Sequence, residues 1–243
     1  MAPPTTNART LLIRIFEAWR ADCLAGYSEG TAFEIFASEL VLRPYGLVLD
    51  DVKAGIVGGG QDGAIDSIYV FFDDNLIDED SEVIDPMSKP SDLGQGRLLE
   101  LWIIQTKTTP AFSETTLDQL ENSIRRLLDL SQPLDSLRAL YNERLLGRIE
   151  LFRTAWVKLI TQRPRISVNV AYATLGDRQG VTPQVEAKLN ALRQVIAEAV
   201  PDPSLVTAEL MGDKELLGRY NERPSYTVRM EYQESRAPAR SAI

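Results

Sequence analysis

Gly58-Gly59-Gly60-Gln61-Asp62-Gly63-Ala64-Ile65-Asp66-Ser67-Ile68-Tyr69-Val70-Phe71-Phe72 decides the fold together with one later stretch, Leu98-Leu99-Glu100-Leu101-Trp102-Ile103-Ile104-Gln105-Thr106-Lys107. The glycines turn the chain. Ile65 to Phe72 is then rich in β-branched and aromatic residues, the composition of a strand. Leu98 to Thr108 is a second expected strand. Side chains two apart on a strand point to the same face, so Leu99, Leu101, Ile103, Gln105 and Lys107 share one. An amide and an ammonium on an otherwise apolar face need partners or water. Asp66, at the start of the neighbouring strand, would supply one.

Outward from this pair, residues 8–24 have helical spacing, with Leu12, Ile15, Phe16, Trp19 and Cys23 on one face. Cys23 is therefore expected to be buried and inert. A second helix is expected over about 31–43, capped by Ser28 or Thr31 and ended by Pro44 and Gly46. Leu47 to Leu49 and Val52 to Val57 have the composition of short strands. Residues 73–97 are acidic and without period, an expected surface insertion between the two strong strands. Helices follow over 115–130 and about 134–159, then a strand at 166–174, a helix at 183–199, a strand at 205–211 and a helix at 213–219. A last strand, 226–232, and a disordered tail, 233–243, complete the expectation. The order implies an α/β fold, a mixed central β-sheet flanked by helices, in one domain over 1–232. The segment 134–162 is expected to be a helical insertion serving a homodimer or a partner.

The 243 residues contain no histidine. That removes imidazole bases and ligands, hence Ser-His-Asp triads and His-Glu-x-x-His zinc sites. Cys23 is the only cysteine, so no internal disulfide forms, which fits a cytoplasmic setting. No run reaches the roughly 18 apolar residues of a membrane helix. The net charge of −9 argues against a coat for nucleic acid but not against an enzyme with a local basic surface. Arg125, Arg126, Arg144, Arg148, Arg153, Lys158, Arg163 and Arg165 are the residues that would form it. The triple glycine lacks the Lys-[Ser/Thr] of a phosphate-binding loop.

The chemistry suggested by the central pair is that of a hard divalent cation, Mg²⁺ or Mn²⁺, which prefers oxygen. Asp66, the Gln105 side-chain oxygen and the Thr106 carbonyl are the candidate ligands, and Lys107 would orient a water and stabilise developing negative charge. Gly-Gln-Asp-Gly-Ala-Ile-Asp followed by Ile-Ile-Gln-Thr-Lys resembles the PD-(D/E)XK nuclease superfamily. The likeness is greatest to its Mrr-like branch, where Gln replaces an acidic residue, and to the N-terminal domain of AIPR-type abortive phage infection proteins.

The resemblance implies a restriction-endonuclease-like core and a metal-dependent endonuclease serving phage defence or restriction, with DNA expected before RNA as substrate. Asp66, Gln105 and Lys107 match the catalytic positions. Phe33-Glu34 matches the Phe-Glu of the first Mrr-like helix, which makes Glu34 an auxiliary ligand, with Glu39 its rival. Ala64 stands where these families carry glycine. The resemblance covers about residues 29–130.

Each residue also has a plainer reading. Asp66 and Asp62 suit turns after glycine. Gln105 suits a core amide bonded to backbone, and Lys107 a side chain reaching out from a strand end. Glu34 suits an exposed helix position. Glu121 with Arg125 and Glu150 with Arg153 have the spacing of helix ion pairs. The corresponding function is a nuclease-like domain without cleavage, acting as a binding or regulatory module.

Overall fold

The computed structural model describes residues 6–222. The expected strand at 226–232 and tail at 233–243 lie outside them. The first helix, α1 (Asn7–Cys23), starts at Thr6, whose side chain accepts from Arg9 N–H, and α2 (Glu29–Val41) starts at Ser28, which accepts from Thr31 N–H. A short α3 (Leu49–Ala54) follows. Then come β1 (Ser67–Phe72), β2 (Asn75–Leu76), β3 (Leu98–Lys107), α4 (Glu114–Leu127), α5 (Glu143–Leu159), β4 (Arg165–Thr174), α6 (Pro183–Ala199), β5 (Val206–Met211) and α7 (Asp213–Asn221).

The five strands form one mixed sheet in the order β2-β1-β3-β4-β5. β1 runs antiparallel to β3 with Ser67 opposite Ile104, while β3, β4 and β5 are parallel. Alternation along the strands divides the core. Ile68, Val70, Leu101, Ile103, Val168 and Val170 meet Leu117, Leu120 and Ile124 of α4, Ile149 and Phe152 of α5, and Leu189 and Leu192 of α6. Tyr69, Phe71, Ile104, Ala171 and Ala173 meet α1, α2, Val52 of α3 and Leu216 of α7. Each fully buried Leu, Ile or Phe stabilises the fold by about 1.5–3 kcal/mol.

The segment 134–162 forms a 3₁₀ turn (Leu134–Leu137), α5 and a second 3₁₀ turn. Through Ile149, Phe152, Ala155 and Leu159, α5 is part of the larger core.

Three local expectations are corrected. Residues 49–54 are helical rather than extended: Asp50 and Asp51 sit in the first turn and Lys53 in the last, the arrangement the helix dipole favours. Only Ile56 bridges the sheet, to Ser67. Cys23 is exposed, because the chain turns after α1 and Leu24 takes the inward position. Arg153 does not pair with Glu150. It is buried, and it donates to the carbonyls of Arg126 (3.0 Å), Leu127 (2.9 Å), Asp129 (2.8 Å) and Gln132 (2.7 Å), closing the C-terminal end of α4.

Residues 73–97 do lie between two paired strands, but they are tied down. Asp73 and Asp74 make a two-residue turn with φ of 47° and 64°, the left-handed pair a tight hairpin needs. Lys158 donates to Glu82 O (3.2 Å), Asp85 O (2.6 Å) and Ser88 Oγ (2.6 Å).

Candidate functional site

The register of β1 on β3 carries Asp66 to the side of Gln105 and Thr106. Asp66 N–H donates to Ile104 O at 3.0 Å, continuing the ladder one residue beyond β1. Among the described residues, its carboxylate is hydrogen-bonded through Oδ2 alone. Oδ2 accepts from Thr106 N–H (2.7 Å), Thr106 Oγ1 (2.8 Å) and Gln105 Nε2 (3.0 Å). Gln105 Nε2 also donates to Thr106 O at 2.7 Å. Gln105 Oε1 is buried and has no hydrogen-bond partner among the described residues.

Glu34 joins this group from α2, on the opposite face of the sheet from α4 and α5. A Cβ on Gly58 would stand 3.3 Å from Glu34 Oε2 and 3.6 Å from Asp66 Oδ1, so the two carboxylates are neighbours across a glycine that leaves room for both. Burial, then Asp66 and then Asp62 push the Glu34 carboxyl up to about 7, while Lys107 acts the other way. Burial also raises Asp66, against the lowering effect of its Thr106 hydrogen bonds and Lys107. At Glu34, burial and the neighbouring carboxylates thus outweigh the charge of Lys107. Lys107 itself is exposed at the end of β3. Glu39, the rival of Glu34, is one turn further on and pairs with Arg43 at 3.1 Å.

The glycine loop is held by residues to which the sequence drew no attention. Asn142 caps α5 by accepting from Leu145 N–H, and its Nδ2 donates to Val57 O (2.9 Å) and Gly60 O (3.0 Å). Asn142 N–H donates to Gln61 O at 2.9 Å. Ser123 Oγ donates to Gly63 O at 2.9 Å. The only clue in sequence was an Asn before a helix, which reads as a cap and nothing more. Asp62 is a turn residue, accepting from Gly60 and Ala64 N–H, and its charge still reaches Glu34 and Asp66.

The oxygens of Asp66, Glu34, Thr106 and Gln105 are a donor set suited to a hard cation. The unpartnered Gln105 Oε1 and the two crowded carboxyls fit such an ion. The Nε2 contacts, in contrast, occupy two of the oxygens it would use. Among the described residues no group of three or more His, Cys, Asp or Glu side chains is arranged to hold a metal ion; this set depends on an amide and a carbonyl. A cleft of about 430 Å³ opens at Thr108, lined among others by Phe16, Arg20, Glu29 and Leu175.

The basic residues of the middle chain do not form one surface of free charges. Arg153 and Lys158 serve carbonyls as described, and Arg148 donates to Ala54 O at 2.6 Å. Arg125 pairs with Glu121 at 3.2 Å. No helix among the described residues is long and apolar enough to cross a membrane. No family model matches the chain, and neither a curated protein nor a solved structure matches it.

Proposed function

We propose that the chain is a divalent-cation-dependent nuclease, hydrolysing phosphodiester bonds of nucleic acid, with a restriction-endonuclease-like core and a role in phage defence or restriction. The observation that carries this reading is the meeting of Asp66, Gln105 and Thr106 with Glu34 across Gly58, beside Lys107. The Asp66 carboxylate, Glu34, Thr106 O and Gln105 Oε1 would hold Mg²⁺ or Mn²⁺. A bound cation of this kind polarises a phosphate and lowers the pKa of a water. Thr106 fixes the Asp66 carboxylate through Oδ2 and so orients it toward the site. Lys107 brings a positive charge to the place where negative charge develops during attack on phosphorus. DNA is the first substrate to test.

The test is cleavage of single- and double-stranded DNA and RNA across a Mg²⁺ and Mn²⁺ titration. Lys107→Ala and Asp66→Asn are each expected to lower the rate at least a hundredfold. Glu34→Gln is expected to lower it at least tenfold and to shift half-activation to higher Mg²⁺. No metal-dependent cleavage of any nucleic acid would sink the proposal.

A second reading has its own support. The Gln105 amide is bonded across Asp66 and Thr106, and the net charge is −9. A binding or regulatory module without cleavage fits these facts, and inactivity together with cation-independent partner binding would establish it.

A further inference from the structure

We propose that Gln105 is a reversible lock on the cation site: its amide stands in for the ion when the ion is absent and turns over when it arrives. The inference rests on the cation-dependent reading of this site.

The amide is bonded the wrong way round for a ligand. Its Nε2 donates at 3.0 Å to Asp66 Oδ2 and at 2.7 Å to Thr106 O, a carboxylate and a carbonyl oxygen of the type a hard cation takes. Both N–H bonds are thereby used, while Oε1 is buried with no partner among the described residues. With the amide reversed and no cation, Oε1 would face those same two oxygens with nothing positive between them. The observed orientation is thus the one that gives each of those two oxygens a donor.

The two ends of a glutamine amide have nearly the same shape. A half-turn about Cγ–Cδ exchanges them without displacing the β3 backbone. It puts Oε1 beside Asp66 and Thr106 as a third oxygen, and it moves Nε2 to the buried side where Oε1 has no partner, at the cost of both N–H bonds. An aspartate or glutamate at position 105 has no donor and could not hold the empty site in this way. The neutral residue therefore gives the site two states. The empty one has its oxygens satisfied by N–H, and the loaded one has them turned to the ion. Binding must break two hydrogen bonds, so affinity is lower than the oxygen set alone would provide, and occupancy is set by the cation concentration.

The experiment is ¹⁵N NMR on the full chain during a Mg²⁺ titration. The Gln105 side-chain resonance is assigned by its disappearance in Gln105→Leu, and binding is followed independently through the Asp66 and Thr106 backbone amides. The Gln105 NH₂ pair is expected to be shifted and slowly exchanging without cation, and to lose that protection in step with the backbone shifts. Backbone shifts that saturate while the Gln105 NH₂ pair stays unchanged overturn the lock and leave the cation site standing. An absence of any Mg²⁺ or Mn²⁺ effect on Asp66 and Thr106 overturns the cation reading and the lock with it. A second measurement is the melting temperature of Gln105→Glu. It is expected to fall below that of the wild type without cation and to recover with Mg²⁺. Equal stability of the two cation-free proteins overturns the donor role.

Discussion

Single residues carry several strained or crowded features that make definite predictions. Ala64 has φ of +64°, a region that disfavours a Cβ. Ala64→Gly is expected to stabilise the fold by about 0.5–1 kcal/mol, read as a shift in urea midpoint. Gly55 has the opposite constraint: a Cβ there would stand 2.1 Å from Tyr69 Cε1, inside the buried ring. Gly55→Ala is expected to cost about 3 kcal/mol by overpacking. Glu100 is raised above the ordinary glutamate value of 4.5 by burial and by Asp74, with the Tyr45 hydrogen bond and Arg165 opposing. A raised carboxyl binds its proton more tightly in the folded state than in the unfolded one. Its stabilising contribution is therefore complete below pH 4.5 and is lost as pH rises through the higher folded value. Glu100→Gln is expected to melt above the wild type at pH 8 and to flatten the pH dependence between the two values. Parallel curves for the two proteins would remove Glu100 as the cause.

At the scale of elements, the joints matter more than the helices and strands they join. Arg153 gathers four carbonyls from the end of α4 and the loop after it. Its removal takes the donor from four carbonyls, that of buried Leu127 among them, and leaves a gap in the core, so Arg153→Met is expected to destabilise by about 3 kcal/mol. Lysine, a point charge without the planar fork, should recover less than half. Asn142 joins α5 to the glycine loop that carries Asp66. Asn142→Ala is expected to cost about 2 kcal/mol and to raise hydrogen exchange at residues 58–61. Asn142→Asp keeps the cap but turns a carboxylate toward the carbonyls of Val57 and Gly60. Loop protection restored by Asp would show that only the cap matters. These joints explain why helix and strand positions were readable while roles were not. Periodicity located α1, α2, β1, β3, α4, β4 and α6 to within a few residues. It misread 49–54, where acidic residues at a helix start outweigh a short apolar run.

For the whole molecule, charge is the deciding quantity. Of the eight basic residues that would have lined a nucleic-acid groove, Arg148, Arg153 and Lys158 are committed to backbone carbonyls. Arg125, Arg126, Arg144, Arg163 and Arg165 remain exposed, and Lys107 lies at the site. If the proposed nuclease reading holds, six phosphate contacts at most from this set imply a slope of log K against log salt no steeper than about −5 on duplex DNA. A steeper measured slope would locate the substrate on another surface. The sequence by itself determined the α/β class, the two motif strands, and the shared face of Gln105 and Lys107, because these follow from period and composition within short segments. Only the tertiary structure decided that Glu34 rather than Glu39 stands by Asp66, that Asn142 holds the glycine loop, and that the Gln105 oxygen is left without a partner. Those facts depend on side chains far apart in sequence meeting where helices pack on the two faces of one sheet, and no local pattern encodes which of them will meet.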